Sequence, residues 1–79
     1  MTEVITVAPS HGAWIVERRA KHNPQSFRSG ATAEAAARQL GDAIARGGEA
    51  VEIQIYLRDG ALADRFVCPA ARPSGDDKD

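Results

Sequence analysis

The stretch "AVEIQIYLRDGALADRFVCP", residues 50–69, decides which fold the chain can adopt. Its first half alternates apolar residues such as Ile53 and Ile55 with polar ones, which is the period of a strand that buries one face. The Asp59-Gly60 pair that follows is typical of a tight hairpin turn, and a second apolar run comes after it. The stretch therefore predicts a β-hairpin with a type I′ turn at Asp59-Gly60.

A helix is predicted immediately before this hairpin, in the alanine-rich stretch "TAEAAARQLGDAIARGG", residues 32–48. Apolar and small residues recur at helical spacing along one face. They are Ala33, Ala36, Ala37, Leu40, Ile44 and Gly47. Ser29 or Thr32 can cap the start of the helix. Gly41 costs about 1 kcal/mol relative to alanine inside a helix, so we expect it to lie close to a strand.

The first third of the chain predicts a second hairpin. "EVITVAP", residues 3–9, and "AWIVERR", residues 13–19, are rich in β-branched and aromatic residues and are separated by a short connection. "AKHNPQ", residues 20–25, then breaks the pattern, because Pro24 lacks a backbone donor. We interpret it as a loop.

These segments together predict the α+β class, with the order β-β-α-β-β and one helix packed on a small antiparallel sheet. The predicted core lies between helix and sheet and comprises Trp14, Val16, Leu40, Ile44, Ile53 and Ile55. Residues 1–69 are expected to form the single domain. Residues 70–79 have almost nothing to bury and are expected to be a disordered acidic tail.

Composition narrows the function classes. A chain of 79 residues buries only about 60% of its unfolded surface, and it has little room for a deep catalytic pocket. The net charge is −1, unlike the basic footprint of a dedicated nucleic-acid binder. Cys68 is the single cysteine, so no internal disulfide can form. We expect a cytoplasmic protein, since neither a membrane span nor a signal peptide is recognisable.

The sequence also resembles a known family, the small bacterial domain-of-unknown-function family numbered 2188, over roughly residues 4–62. The resemblance implies a hairpin, a helix and a further strand. It brings no established catalytic residue or ligand. The residues that carry it are Val7, Pro9, Gly12, Trp14 and Val16, then Phe27 and Ser29, Glu34-Ala35, Gly48, Val51, Ile53, and Asp59-Gly60 with Leu62.

One basic segment is a candidate contact site for phosphate or for a partner. Arg18, Arg19, Lys21 and Arg28 lie within twelve positions of each other, with Glu17 the adjacent acid. Guanidinium groups form forked hydrogen bonds to phosphate oxygens, and such contacts dominate non-specific nucleic-acid affinity. The simpler interpretation is a solvated loop, because few aromatic residues are available to stack on bases.

Residues with catalytic potential form no recognisable motif. Ser10, His11, His22 and Cys68 allow a triad only on paper, because no nucleophile stands on a glycine-flanked elbow. The two histidines lack the local spacing of a zinc site. We therefore expect no enzyme, no cofactor and no resident metal.

The sequence favours a non-enzymatic binding module that acts through protein–protein interaction, either with a partner or as a homodimer. The thin core and the free edges of an open sheet motivate this hypothesis. Nucleic-acid binding through residues 18–28 is the first alternative and is not favoured. A phage or mobile-element inhibitor of a host complex is the second. No membrane role is expected.

Overall fold

The structure is a computed structural model that describes residues 2–21 and 23–71. It confirms the predicted α+β class, with one helix packed on a sheet. Most of the predicted tail, residues 72–79, lies outside the described residues. The elements are β1 (Thr2–Ser10), β2 (Ala13–Arg18), β3 (Gln25–Phe27), α1 (Gly30–Arg46), β4 (Ala50–Tyr56) and β5 (Leu62–Cys68).

The five strands form one mixed sheet in the order β3-β2-β1-β4-β5. The pairs β1–β2, β2–β3 and β4–β5 are antiparallel, as expected of hairpins. The central pair, β1–β4, is parallel, whereas the sequence predicted a wholly antiparallel sheet. The helix returns the chain along the sheet before β4 begins, so β4 runs in the same direction as β1. The short strand β3 begins at Gln25, the last residue of the predicted loop, and is an unpredicted fifth strand.

The core lies between the helix and the two central strands. Ile5 pairs with Ile53 across the parallel ladder, and both side chains are fully buried. Of the predicted core, Val16 and Ile53 are buried, while Trp14, Leu40, Ile44 and Ile55 are partly buried and pack against it. The central cluster consists of Ile5, Val7, Val16, Ala33, Ala37, Val51 and Ile53.

The helix buries a narrower stripe than predicted, made of its smallest residues: Ala33, Ala37, Gly41 and Ala45. Ser29 is the N-cap, and its hydroxyl accepts a hydrogen bond from the N–H of Thr32. A Cβ on Gly41 would lie 3.2 Å from Cδ1 of Ile53 and 3.3 Å from Sγ of Cys68. The predicted close approach of Gly41 to a strand is therefore confirmed.

The two hairpin turns differ from each other. His11 and Gly12 form the two-residue connection of the first hairpin, both with positive φ (51° and 81°), as a type I′ turn requires. At the second hairpin only Gly60 has positive φ, and its N–H donates to the Leu57 carbonyl at 3.0 Å. The predicted hairpin is present, but the prediction of a type I′ turn at Asp59-Gly60 is wrong. The loop has three residues, Arg58 to Gly60, instead of two. It forms a type I turn followed by a glycine with left-handed φ.

Candidate functional site

The structure does not gather the four basic residues of the predicted contact site. Arg18 ends β2 and pairs in register with Ile5, so it lies on the helix-facing side of the sheet. Arg19 lines a depression of about 250 Å³ together with Arg18, Val4 and Thr6. Lys21 lines a second depression, of about 180 Å³, that Arg18 also borders. Arg28 follows β3, level with the start of β2, about 17 Å from Arg18 at 3.4 Å per residue.

Arg18 is engaged by a buried acid, Glu3. The guanidinium Nε donates to Oε2 of Glu3 at 3.0 Å, and the carboxylate side chain is 3% exposed. The other oxygen, Oε1, accepts from the N–H of Val4 at 3.0 Å and from the N–H of Ala20 at 3.3 Å. This arrangement ties the end of β2 to the start of β1. It gives Arg18 a structural partner within the fold.

The electrostatics of Glu3 follow from these contacts. Burial raises the pKa of its carboxyl, since the charged form loses water. The hydrogen bond from Arg18, the two backbone N–H groups and the nearby positive charge lower it by more. The pKa of Glu3 therefore lies below its ordinary value of 4.5. Glu3 is charged at neutral pH, and Arg18 is held by that charge.

The helix-free face of the sheet is polar along β4. The Tyr56 hydroxyl donates to Oε1 of Gln54 at 2.6 Å, and Nε2 of Gln54 donates to Oε2 of Glu52 at 2.7 Å. Nε of Arg65 lies 3.9 Å from the same Glu52 oxygen. These polar groups bond to one another, so this part of the face is suited to contact with water.

The edge of the sheet at β5 has a different character. β5 is the last strand in the sheet order, with no strand beyond it among the described residues. Leu62 and Val67 on β5 are 50% and 60% exposed, and Leu57, just before the hairpin turn, is 50% exposed. In the described part of the chain these are the exposed large apolar side chains. We call Leu57, Leu62, Val67 and the outer side of β5 the β5 edge.

The opposite edge of the sheet is β3, which has only three residues and follows Pro24. A short strand flanked by proline is a common way of preventing pairing with another chain. The longer β5 has seven residues and carries its exposed large apolar side chains at its start, Leu62, and near its end, Val67. The two edges are therefore unequal, and β5 is the one open to a partner strand.

Residues with catalytic potential lie apart. His11 is exposed in the first turn, and Cys68 is partly buried against Gly41 at the end of β5. His22 lies outside the described residues. Among the residues that the structure describes, no three His, Cys, Asp or Glu side chains are grouped as metal ligands would be. Within the same residues, no helix has the length and apolar character to cross a membrane.

The fold also brings together residues that sequence reasoning did not connect. Ser10, His11 and Trp14 from the first hairpin meet Arg28 and Arg58 around a cavity of about 330 Å³. We call this cavity the arginine pocket. Arg58 lies just beyond β4, and β4 runs parallel to β1, so their carboxyl ends share one end of the sheet. No signal in the sequence indicated that parallel pairing.

Comparison with known proteins adds no further assignment. No family model, no curated protein and no solved structure matches the chain. The resemblance to the small bacterial family therefore stays a hypothesis.

Proposed function

We propose that the protein is a small non-enzymatic binding module that associates through the β5 edge, with a second copy of the chain as its partner. The observation that carries this proposal is the concentration of the exposed large apolar side chains on that edge. A free edge strand presents unpaired N–H and C=O groups that a second strand can satisfy.

A second copy suits this edge in geometry and in charge. Two β5 strands can pair antiparallel about a two-fold axis, so that each chain offers the same surface. Each β5 carries one acid, Asp64, and one base, Arg65, so the two strands meet without net charge. Leu62 and Val67 lie beside Tyr56 and Glu52 on the helix-free face, so side chains of the added strand would pack against their outer flanks and bury further apolar area.

The part of the helix-free face along β4 is a weaker candidate for the contact surface than the β5 edge. Its groups along β4 already bond to one another, from Tyr56 through Gln54 to Glu52. Docking there would remove these polar groups from water without a new partner for each. Edge pairing avoids that cost, since strand pairing supplies a hydrogen bond to every backbone group that it covers.

Sedimentation equilibrium from micromolar to millimolar concentration tests the proposal. We expect a concentration-dependent equilibrium between one chain and two, with backbone N–H groups of β5 slowing their hydrogen exchange as the dimer forms. Val67→Lys places a charge on the edge and should shift the equilibrium to the single chain. Gln39→Lys adds the same charge on an exposed helix position and should leave the equilibrium unchanged.

Three outcomes would contradict the proposal. A mass of one chain at every concentration would reject the dimer. A dimer that Val67→Lys leaves intact would place the contact on another surface. A chain ending at residue 71 that associates more tightly than the full chain would show that residues 72–79 occupy the edge in place of a second copy.

A further inference from the structure

We propose that the arginine pocket binds the phosphate group of a small phosphorylated metabolite. This site shares no lining residue with the β5 edge and goes beyond the proposed protein-binding function. The pocket is formed by three separate segments: the first hairpin turn, the junction between β3 and α1, and the turn after β4. Convergence of separate loops on one cavity is typical of a binding site.

The charged residues that line the pocket are both basic. Arg28 and Arg58 both line it, with His11 and Ser10 as further polar groups, and none of its lining residues is acidic. Asp59 is adjacent to Arg58 in sequence, but its Oδ1 accepts a hydrogen bond from the N–H of Ala61 at 2.9 Å. That carboxylate is thus committed to its own turn.

The two arginines are available for a ligand. Across residues 2–21 and 23–71, neither Arg28 nor Arg58 forms a side-chain hydrogen bond or an ion pair. By contrast, Arg18 is held by Glu3 and Arg38 by Glu34. A guanidinium presents a fixed fork of donors that matches the oxygens of a phosphate, so two of them favour a doubly charged group.

The position of the pocket in the fold supports the same assignment. It lies where the carboxyl ends of the parallel strands β1 and β4 meet, which is where open sheets with parallel strands bind ligands. The helix begins two residues after Arg28, and its first turn contains no acidic residue. The positive end of the helix therefore adds to the field of the arginines.

The size of the pocket selects a small ligand. A volume of about 330 Å³ lies near the lower limit of roughly 300 Å³ for small-molecule sites. It has room for a phosphate with a short organic group. Trp14 lines the same cavity and offers an aromatic surface to that group. Its ring packs so closely on Gly30 that a Cβ there would lie 3.2 Å from the ring. The ligand would therefore touch the single tryptophan of the chain.

Trp14 provides a direct measurement, since its fluorescence and its indole N–H resonance come from a single tryptophan that lines this pocket. The probes are inorganic phosphate and ribose 5-phosphate, with acetate as a singly charged comparison and a short DNA duplex as a macromolecular one. We expect both phosphates to change the Trp14 signals saturably, with ribose 5-phosphate binding more tightly. Acetate should bind at least about tenfold more weakly than either phosphate, because it offers one negative charge to two guanidiniums.

Substitution of the exposed arginines tests the residues that hold the ligand. Arg28→Gln and Arg58→Gln should each weaken phosphate binding about tenfold or more, since each removes charged hydrogen bonds. The double variant should abolish it. Arg46→Gln, in the last turn of the helix, removes the same charge far from the pocket and should leave the affinity unchanged. Unchanged melting temperatures would show that all these variants fold.

Four results would overturn the inference. The first is an unchanged Trp14 signal in both phosphates up to about 50 mM, far above the 1 mM dissociation constant of a weak but specific ligand. The second is binding that survives in the double variant. The third is an equal loss of phosphate affinity in Arg46→Gln, which would indicate that binding depends on general surface charge. Tighter binding of the DNA duplex than of ribose 5-phosphate, lost in the double variant, would assign the pocket to nucleic acid instead.

Discussion

Arg18 donates its Nε–H to the carboxylate of Glu3 across 3.0 Å, and that carboxylate is 3% exposed. The pair joins the first strand to the end of the second, which the chain reaches fifteen positions later. One of the four basic residues expected to contact a phosphate or a partner thus has a structural role in the fold. The same contact predicts how the stability of the protein depends on pH.

Replacement of Glu3 by Gln should destabilise the fold by about 1 to 3 kcal/mol, because it weakens a charged hydrogen bond at a buried position. Glu34→Gln is the matched control. It also removes a carboxylate bonded to an arginine, but on the exposed helix surface, where such pairs contribute only about 0.2 to 0.5 kcal/mol. Urea unfolding at pH 7 measures both. Equal losses in the two variants would contradict the structural role of Glu3.

Acid titration of the same variants tests the pKa of Glu3. Because the pKa is lower in the folded chain than the ordinary 4.5, the contribution of Glu3 to stability is fully present above that value. It is lost as the pH falls through the lower folded pKa. Glu3→Gln should therefore show a shallower loss of unfolding free energy below pH 4.5 than the parent chain. Parallel curves would indicate that the folded pKa of Glu3 is unshifted.

Core substitutions should separate Ile53 from Leu40. Ile53 is fully buried between β1 and the helix, so Ile53→Ala should cost about 2 to 5 kcal/mol, a large part of the total stability of a small domain. Leu40 is only partly buried, so Leu40→Ala should cost less, about 1 to 2 kcal/mol. Gln39→Ala, at an exposed helix position, is the control and should change stability by less than about 0.5 kcal/mol. Thermal and urea unfolding measure these losses. A larger loss of stability in Leu40→Ala than in Ile53→Ala would contradict this assignment of the buried residues.

Nucleic-acid binding by the basic segment, the alternative hypothesis, makes a prediction about salt. Arg19 and Lys21 remain exposed, whereas Arg18 is held by Glu3 and Arg28 is distant. We expect no binding of labelled duplex or single-stranded DNA or RNA at about 50 mM salt through this segment, since two charges make a weak site. If binding occurs there, replacing Arg19 and Lys21 by Gln should lower the logarithmic salt slope by about two, near 0.9 per duplex contact. Such a change would favour the alternative over protein binding.

The basic segment illustrates why the candidate sites were hard to predict. Closeness in sequence does not place residues close in space, because a strand separates its ends by about 3.4 Å per residue. Pairing of β2 with β3 therefore puts Arg18 and Arg28 at opposite ends of the strand. The arginine pocket shows the converse, since Arg28 and Arg58 are thirty positions apart and line one cavity. Both results follow from strand register, which local patterns do not specify.

The sequence alone determined the helix and four of the five strands. Alternation in residues 50–56, the small-residue periodicity of the helix and the turn residues between strands act over a few neighbouring positions, where local sterics and amphipathic patterning decide the outcome. Only the tertiary structure decided the parallel pairing of β1 with β4, the free β5 edge and the arginine pocket. These features depend on which buried faces meet across the sheet, and Ile5 against Ile53 is a contact between residues 48 positions apart. Long-range packing selects that arrangement, and the sites on its surface follow from it.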